Sequence, residues 1–118
     1  MIEMIKSNRI TFWLKIDIQG IEELLIYING LNGKSRKYPQ ILYLGKERKL
    51  EIELDTEIDE LLIGKDVIKL YMDEEELEYL EERLKDALIS RCFYPAEMCG
   101  RTYKNRNVYI YCEIVFSS

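Results

Sequence analysis

Residues 9–18 place Phe12, Leu14, Ile16 and Ile18 at every second position, the pattern of a strand buried on one side. At Asp17 the period changes. Ile21, Leu24, Leu25, Ile28 and Leu31 recur at helical spacing, with Asp17 available as an N-cap and Asn32-Gly33 as residues tolerant of positive φ where the helix should stop. Tyr38-Pro39 restarts the chain as an extended segment. Residues 41–44 and 50–54 then read as a hairpin turning through 45–49.

The same plan follows a second time. Residues 67–72 alternate as a strand, Asp73 and Glu76 form a capping box, and Leu77, Leu80, Leu84 and Leu88 make a helical stripe. Tyr94-Pro95 restarts the extended chain, and residues 97–101 and 108–116 read as a second hairpin with its tip over 102–107. The connector 55–65 carries Ile58, Leu61, Leu62 and Ile63 among acids and suits a helical turn or a strand extension equally.

The recurrence is an internal repeat. A shift of 56 residues without a gap sets Asp17 on Asp73, Glu22 on Glu78, Tyr38 on Tyr94 and Pro39 on Pro95, and the apolar positions agree from Phe12 with Ile68 to Leu54 with Ile110. One domain is expected over residues 1–118, with pseudo-repeats 10–62 and 66–118. Each unit is β-α-β-β, and a single copy buries too little apolar surface to stand alone. The expected fold class is α+β: an internally duplicated β-α-β-β unit forming a two-layer sandwich, with a mainly antiparallel six-stranded sheet and two helices on one face. Tyr43, Tyr109 and Tyr111 would alternate onto the other face.

Composition narrows the class further. The chain is 47% hydrophobic and 33% charged, as a globular domain is. Its longest apolar runs are only a few residues, as at 24–28, against the roughly 20 needed to span a bilayer. Residues 1–6 mix acid and base with no small-residue cleavage site, so no signal peptide is expected. Cys92, Cys99 and Cys112 cannot all pair with one another, which suits reduced thiols in a cytoplasm, with Cys112 a small hydrophobe in a strand.

Candidate chemistry is sparse. With no histidine, the usual general base and the commonest metal ligand are missing. No cysteine pair has the short spacing of a zinc knuckle, and Gly30, Gly33 and Gly45 are turn glycines rather than a phosphate-cradling loop. The acids at 73–76 suit a helix N-terminus, and a hydrolytic carboxylate pair needs burial that nothing here suggests. No enzyme activity, metal or cofactor is expected.

Charge is what remains. The net charge of −5 is unevenly spread: residues 51–86 hold 15 acids and four bases, and the rest of the chain holds 7 acids and 13 bases. A solvated helix surface of glutamates and loops of lysines would account for that asymmetry. The amphipathic run Asp17-Ile18-Gln19-Gly20-Ile21-Glu22-Glu23-Leu24 at the end of a strand, then a hairpin, in a compact acidic chain without catalytic equipment, resembles small cytoplasmic immunity proteins of bacterial polymorphic toxin systems. The resemblance implies a protein that binds and occludes one cognate basic partner, such as a toxin or nuclease domain, with no membrane association and as a monomer or dimer. The acids would then steer association. Candidate partner-binding residues are Glu57, Asp59 and Glu60 in the connector, Glu74, Glu75, Glu78 and Glu82 on the helix, and Tyr109 and Tyr111 as desolvated anchors.

Two alternatives stand beside it: a structural or ligand-sensing α+β module, dimeric through a sheet edge, and a small nucleic-acid-associated or regulatory domain that uses basic hairpin tips, Lys46, Arg48 and Lys49 in one and Arg101, Lys104 and Arg106 in the other, with Lys34, Arg36 and Lys37 after the first helix. An acidic chain argues against the second of these, because polyanions repel it.

Overall fold

The computed structural model describes residues 1–31 and 37–116. The elements run β1 (Ile2–Asn8), β2 (Thr11–Ile16), α1 (Ile18–Asn29), β3 (Gln40–Tyr43), β4 (Lys46–Leu54), β5 (Leu61–Ile63), β6 (Val67–Met72), α2 (Glu74–Ser90), β7 (Glu97–Tyr103) and β8 (Arg106–Ile114). The stop foreseen for the first helix at Asn32-Gly33, and the bases Lys34 and Arg36, lie outside the described residues.

All eight strands form one mixed sheet in the order β5-β6-β4-β3-β1-β2-β8-β7. A parallel bridge from Glu60 to Thr102 brings the two edges β5 and β7 together, so the sheet is a nearly closed barrel. This corrects the expected six-stranded, mainly antiparallel sandwich. The two additional strands are β1 and β5. In β1 the buried positions Ile2 and Met4 give way to an exposed polar run, and β5 is three residues long between acids, so neither offered a full period to read. Parallel pairs join β1 to β3, β2 to β8 and β4 to β6. Tyr109 and Tyr111 lie on the outer wall of the barrel, whereas Tyr43, expected on the same face, is buried in the interior.

The registers show how the two halves interlock. Phe12 faces Ile110 and Leu14 faces Cys112 across β2 and β8, while Leu50 faces Ile68 and Ile52 faces Leu70 across β4 and β6. Each half thus lends its last strand to the other, and exchanging the two halves leaves the circular strand order unchanged. Counterparts are 56 residues apart in β2 and β6 but 60 apart in β4 and β8: one extra residue precedes β7, whose start lies 57 past that of β3, and β7 has 7 residues where β3 has 4. Ile52 accordingly corresponds to Cys112 and not, as in the ungapped alignment, to Val108.

Even-numbered strands all run one way and odd-numbered strands the other, so the molecule has two unlike ends. Both helices and the connector 55–60 lie at one end, where α1 and α2 pack together. Leu24 of α1 and Leu80 of α2 reach the same apolar interior as Met4, Leu14, Leu50 and Ile110, leaving a void of only about 20 Å3. Tyr27 ties α1 to β4: its hydroxyl accepts from the Ile52 N–H at 2.9 Å. Gly20 is required where α1 meets the barrel, since a Cβ there would lie 2.5 Å from the Met1 carbonyl oxygen.

The other end carries the four strand-to-strand turns. In the two long hairpins the turns are the two-residue pairs Leu44-Gly45 and Lys104-Asn105, each with both residues at positive φ. The sequence suggested longer tips. Lys46, Arg48 and Lys49 are therefore strand residues of β4, and Arg101 belongs to β7.

The capping box is present as foreseen: the Asp73 carboxylate accepts from the Glu76 N–H at 2.8 Å, and Glu76 reaches back to the Asp73 N–H. Asp73→Ala should lower the stability by about 1 kcal/mol. An unchanged urea midpoint would contradict that.

Candidate functional site

At the helix end the chain folds its acids into place with local bonds. Asp55 leaves β4 and its Oδ1 accepts from the Glu57 and Ile58 N–H groups at 2.8 and 2.9 Å, which holds its carboxyl below the usual carboxylate range. Four residues after Asp55 the Asp59 carbonyl accepts from the Thr102 N–H at 2.9 Å, and its carboxylate accepts from the Thr102 hydroxyl at 3.2 Å. The Glu60 carbonyl accepts from the Tyr71 N–H. The connector is thus pinned to β6 and β7 and presents Glu57 outward.

Beside it, α2 opens with Glu74 and Glu75 in its first turn, where unpaired backbone N–H groups favour negative charge. Two clefts meet here. One, of about 590 Å3, is lined by Leu54, Asp55, Thr56, Asp73, Glu74 and Glu75. The other, of about 330 Å3, runs between the helices along Ile28, Leu31, Leu77, Glu78 and Glu81 and shares Leu54 and Glu74 with the first. The result is a trough with acidic walls and an apolar floor. Among the described residues, Glu74, Glu75 and Glu78 have no ion-pair partner.

Of the residues singled out from sequence, the structure brings Glu74, Glu75 and Glu78 to the trough. Glu57 is exposed on the neighbouring connector and Glu82 on α2. Asp59 is engaged with Thr102, and Glu60 faces the opposite side, at the junction of β5 and β7. Tyr109 and Tyr111 are not with the acids. They lie on the outer wall of β8, where Tyr111 stacks on Trp13 with ring centroids 5.1 Å apart. Sequence reasoning passed over Asp55, Glu81 and the floor residues Leu54 and Leu77. Leu54 ends an alternating strand and Leu77 opens the helical stripe, so both looked like ordinary core, yet each is half-buried.

Half of the alternative basic set has partners within the fold. Arg101 is buried, donating to Glu76 Oε2 at 2.6 Å and to the Gly100 carbonyl. Arg48 donates to the carbonyls of Gly64 at 2.7 Å and Tyr43 at 3.4 Å, and Lys46 pairs with Asp66 at 3.0 Å. Lys49, Lys104 and Arg106 remain exposed. The cysteines are unpaired thiols; burial pushes Cys99 up to about 11 and Cys112 up to about 12, so neither is a ready nucleophile at neutral pH. Among the described residues no cluster of His, Cys, Asp or Glu could hold a metal ion, and no helix is long and apolar enough to cross a membrane.

No protein-family model, no curated protein and no solved structure matches this chain.

Proposed function

We propose that this protein is a non-enzymatic binding protein of the cytoplasm that blocks a basic protein partner through its acidic helix end, as an immunity protein blocks a toxin or nuclease domain. One observation carries the reading: three glutamates with no ion-pair partner among the described residues line a trough whose floor is apolar. Unpaired acids supply long-range attraction and speed encounter with a cationic surface. Leu54 and Leu77 supply the apolar area that charge alone lacks, and half-buried residues at the floor of a cleft are where a partner side chain is fully desolvated. The nucleic-acid alternative loses support from the same geometry, since Arg101 and Arg48 are committed to bonds within the fold and Lys46 shares its charge with Asp66 at the surface.

Glu74 and Glu75 stand in a helix first turn, where reversal to Lys would oppose the dipole by about 0.3–1 kcal/mol each. Neutralisation is cleaner. The triple variant Glu74→Gln, Glu75→Gln, Glu78→Gln should fold normally, fail to capture the partner that the wild-type protein pulls from its host, and associate about tenfold or more slowly at low salt with a flatter salt dependence. Capture of RNA or DNA by the wild type, abolished by changing Lys104 and Arg106 and untouched by the triple variant, would overturn the proposal.

A further inference from the structure

The two halves of the barrel differ at one junction. β1 and β3 join through Glu3 with Leu42 and Met4 with Tyr43, whereas β5 and β7, which hold the corresponding place in the other half, meet at the Glu60–Thr102 bridge alone among the described residues. Towards the hairpin end of that bridge the strands part, and a groove of about 450 Å3 lies between them. Ile63, Val67 and Tyr103 give it apolar sides. Lys69 and Lys104 both line it, and among the described residues Glu60 is the single carboxylate that does.

More positive charge stands behind it. The Tyr103 ring has the Lys104 ammonium 5.3 Å from its centroid and the Lys6 ammonium 5.7 Å away. Arg48 donates to the carbonyl of Gly64, itself a lining residue, and the Arg48 Nε is buried with no hydrogen-bond partner among the described residues. Lys69 has a competing partner in Glu51, but at 3.9 Å the pair is loose. The volume falls in the range of small-molecule sites, which favour barrel openings and combine apolar walls with a few convergent polar groups.

We propose that this groove binds a small organic anion with an apolar body, a carboxylate or a phosphate monoester carried on a hydrocarbon chain. The body leaves water against Ile63, Val67 and the Tyr103 ring, and the head group sits between Lys104 and Lys69, displacing the loose contact to Glu51. The site is separate from the acidic trough, and the two readings stand or fall independently.

Calorimetric titration of the full chain tests this with octanoate and octyl phosphate, against octanol and inorganic phosphate as controls. One or both of the amphiphilic anions should bind, and both controls should bind about tenfold more weakly or worse. Octanoate alone assigns the site to carboxylates, and octyl phosphate alone to phosphate esters. Lys104→Asn, chosen because asparagine tolerates the φ of 49° at that position, combined with Lys69→Gln should weaken binding by about tenfold or more with the thermal midpoint unchanged. Val67→Glu, which sets a carboxylate on the groove wall, should abolish it. The proposal is overturned if neither anion binds at millimolar concentration, if octanol binds as tightly as octanoate, or if both the double variant and Val67→Glu bind like the wild type.

Discussion

Phe12→Ala should lower the unfolding free energy by about 3–5 kcal/mol, the largest effect expected of a single truncation in this chain. Phe12 is fully buried on β2, between Lys6 of β1 and Ile110 of β8, and meets the Tyr103 ring edge-on with centroids 5.5 Å apart. It therefore packs at the line where the strand lent by the second half joins the first. Removing the ring deletes apolar burial, leaves a cavity that strands hydrogen-bonded on both sides cannot close, and strips Tyr103 of its partner. Urea unfolding should show a lower midpoint with an unchanged slope. Phe116→Ala provides the contrast: that ring is 59% exposed and its loss should fall within about 0.5 kcal/mol of the wild type. Near-equal effects of the two would mean that the barrel interior is wrongly assigned.

The second large effect concerns Glu76. Its carboxylate is the ion-pair partner of Arg101, whose side chain is 4% exposed, at 2.6 Å. Glu76→Ala leaves that guanidinium buried with only the Gly100 carbonyl for company, and the Arg101 Nε already has no partner among the described residues. Stranding a buried charge typically costs about 3–5 kcal/mol, and because Glu76 itself is 41% exposed the lower part of that range, about 3 kcal/mol, is expected. Part of it is loss of the capping box. Adding Arg101→Met should restore most of the stability, since the hole is then filled by an apolar chain with no charge to satisfy. Glu78→Ala, on the same helix and with no ion-pair partner among the described residues, should be nearly neutral. If Glu76→Ala costs less than about 1 kcal/mol, or Arg101→Met adds to the loss rather than reversing it, the pair is hydrated and does not hold β7 against α2.

The elements that declared themselves in the sequence are those with a complete period. β2 and β6 alternate over six residues each, and α2 carries both a capping box and a four-leucine stripe. β1 and β5 did not, because three residues of β5 are less than two periods and the outer half of β1 is polar on both sides. Missing them hid the closure, since those are the strands that carry the sheet across from β2 to β3 and from β6 towards β7. Strand lending between the halves was equally invisible. An internal repeat says that two units match, and it is silent on which unit's strand each one pairs with.

The acids of the trough were legible as charge on the polar side of α2, and their placement beside Leu54 and Leu77 was not, because a half-buried leucine in a stripe looks the same as a buried one. The basic tips misled for a related reason. Arg48 and Arg101 occupy alternate strand positions whose neighbours Leu50 and Val108 are buried, so both side chains turn inward and find carbonyls or a carboxylate there. Sequence spacing recorded their charge and missed their direction.

The most direct test of the central claim, that the acidic helix end is the binding surface, is hydrogen–deuterium exchange of the protein alone and in complex with its captured partner. Slowed exchange confined to residues 55–60 and 74–82, and absent from the residues 44–49 and 103–107 at the hairpin end, is the result expected. Protection at those turns with the helix end unchanged would contradict it.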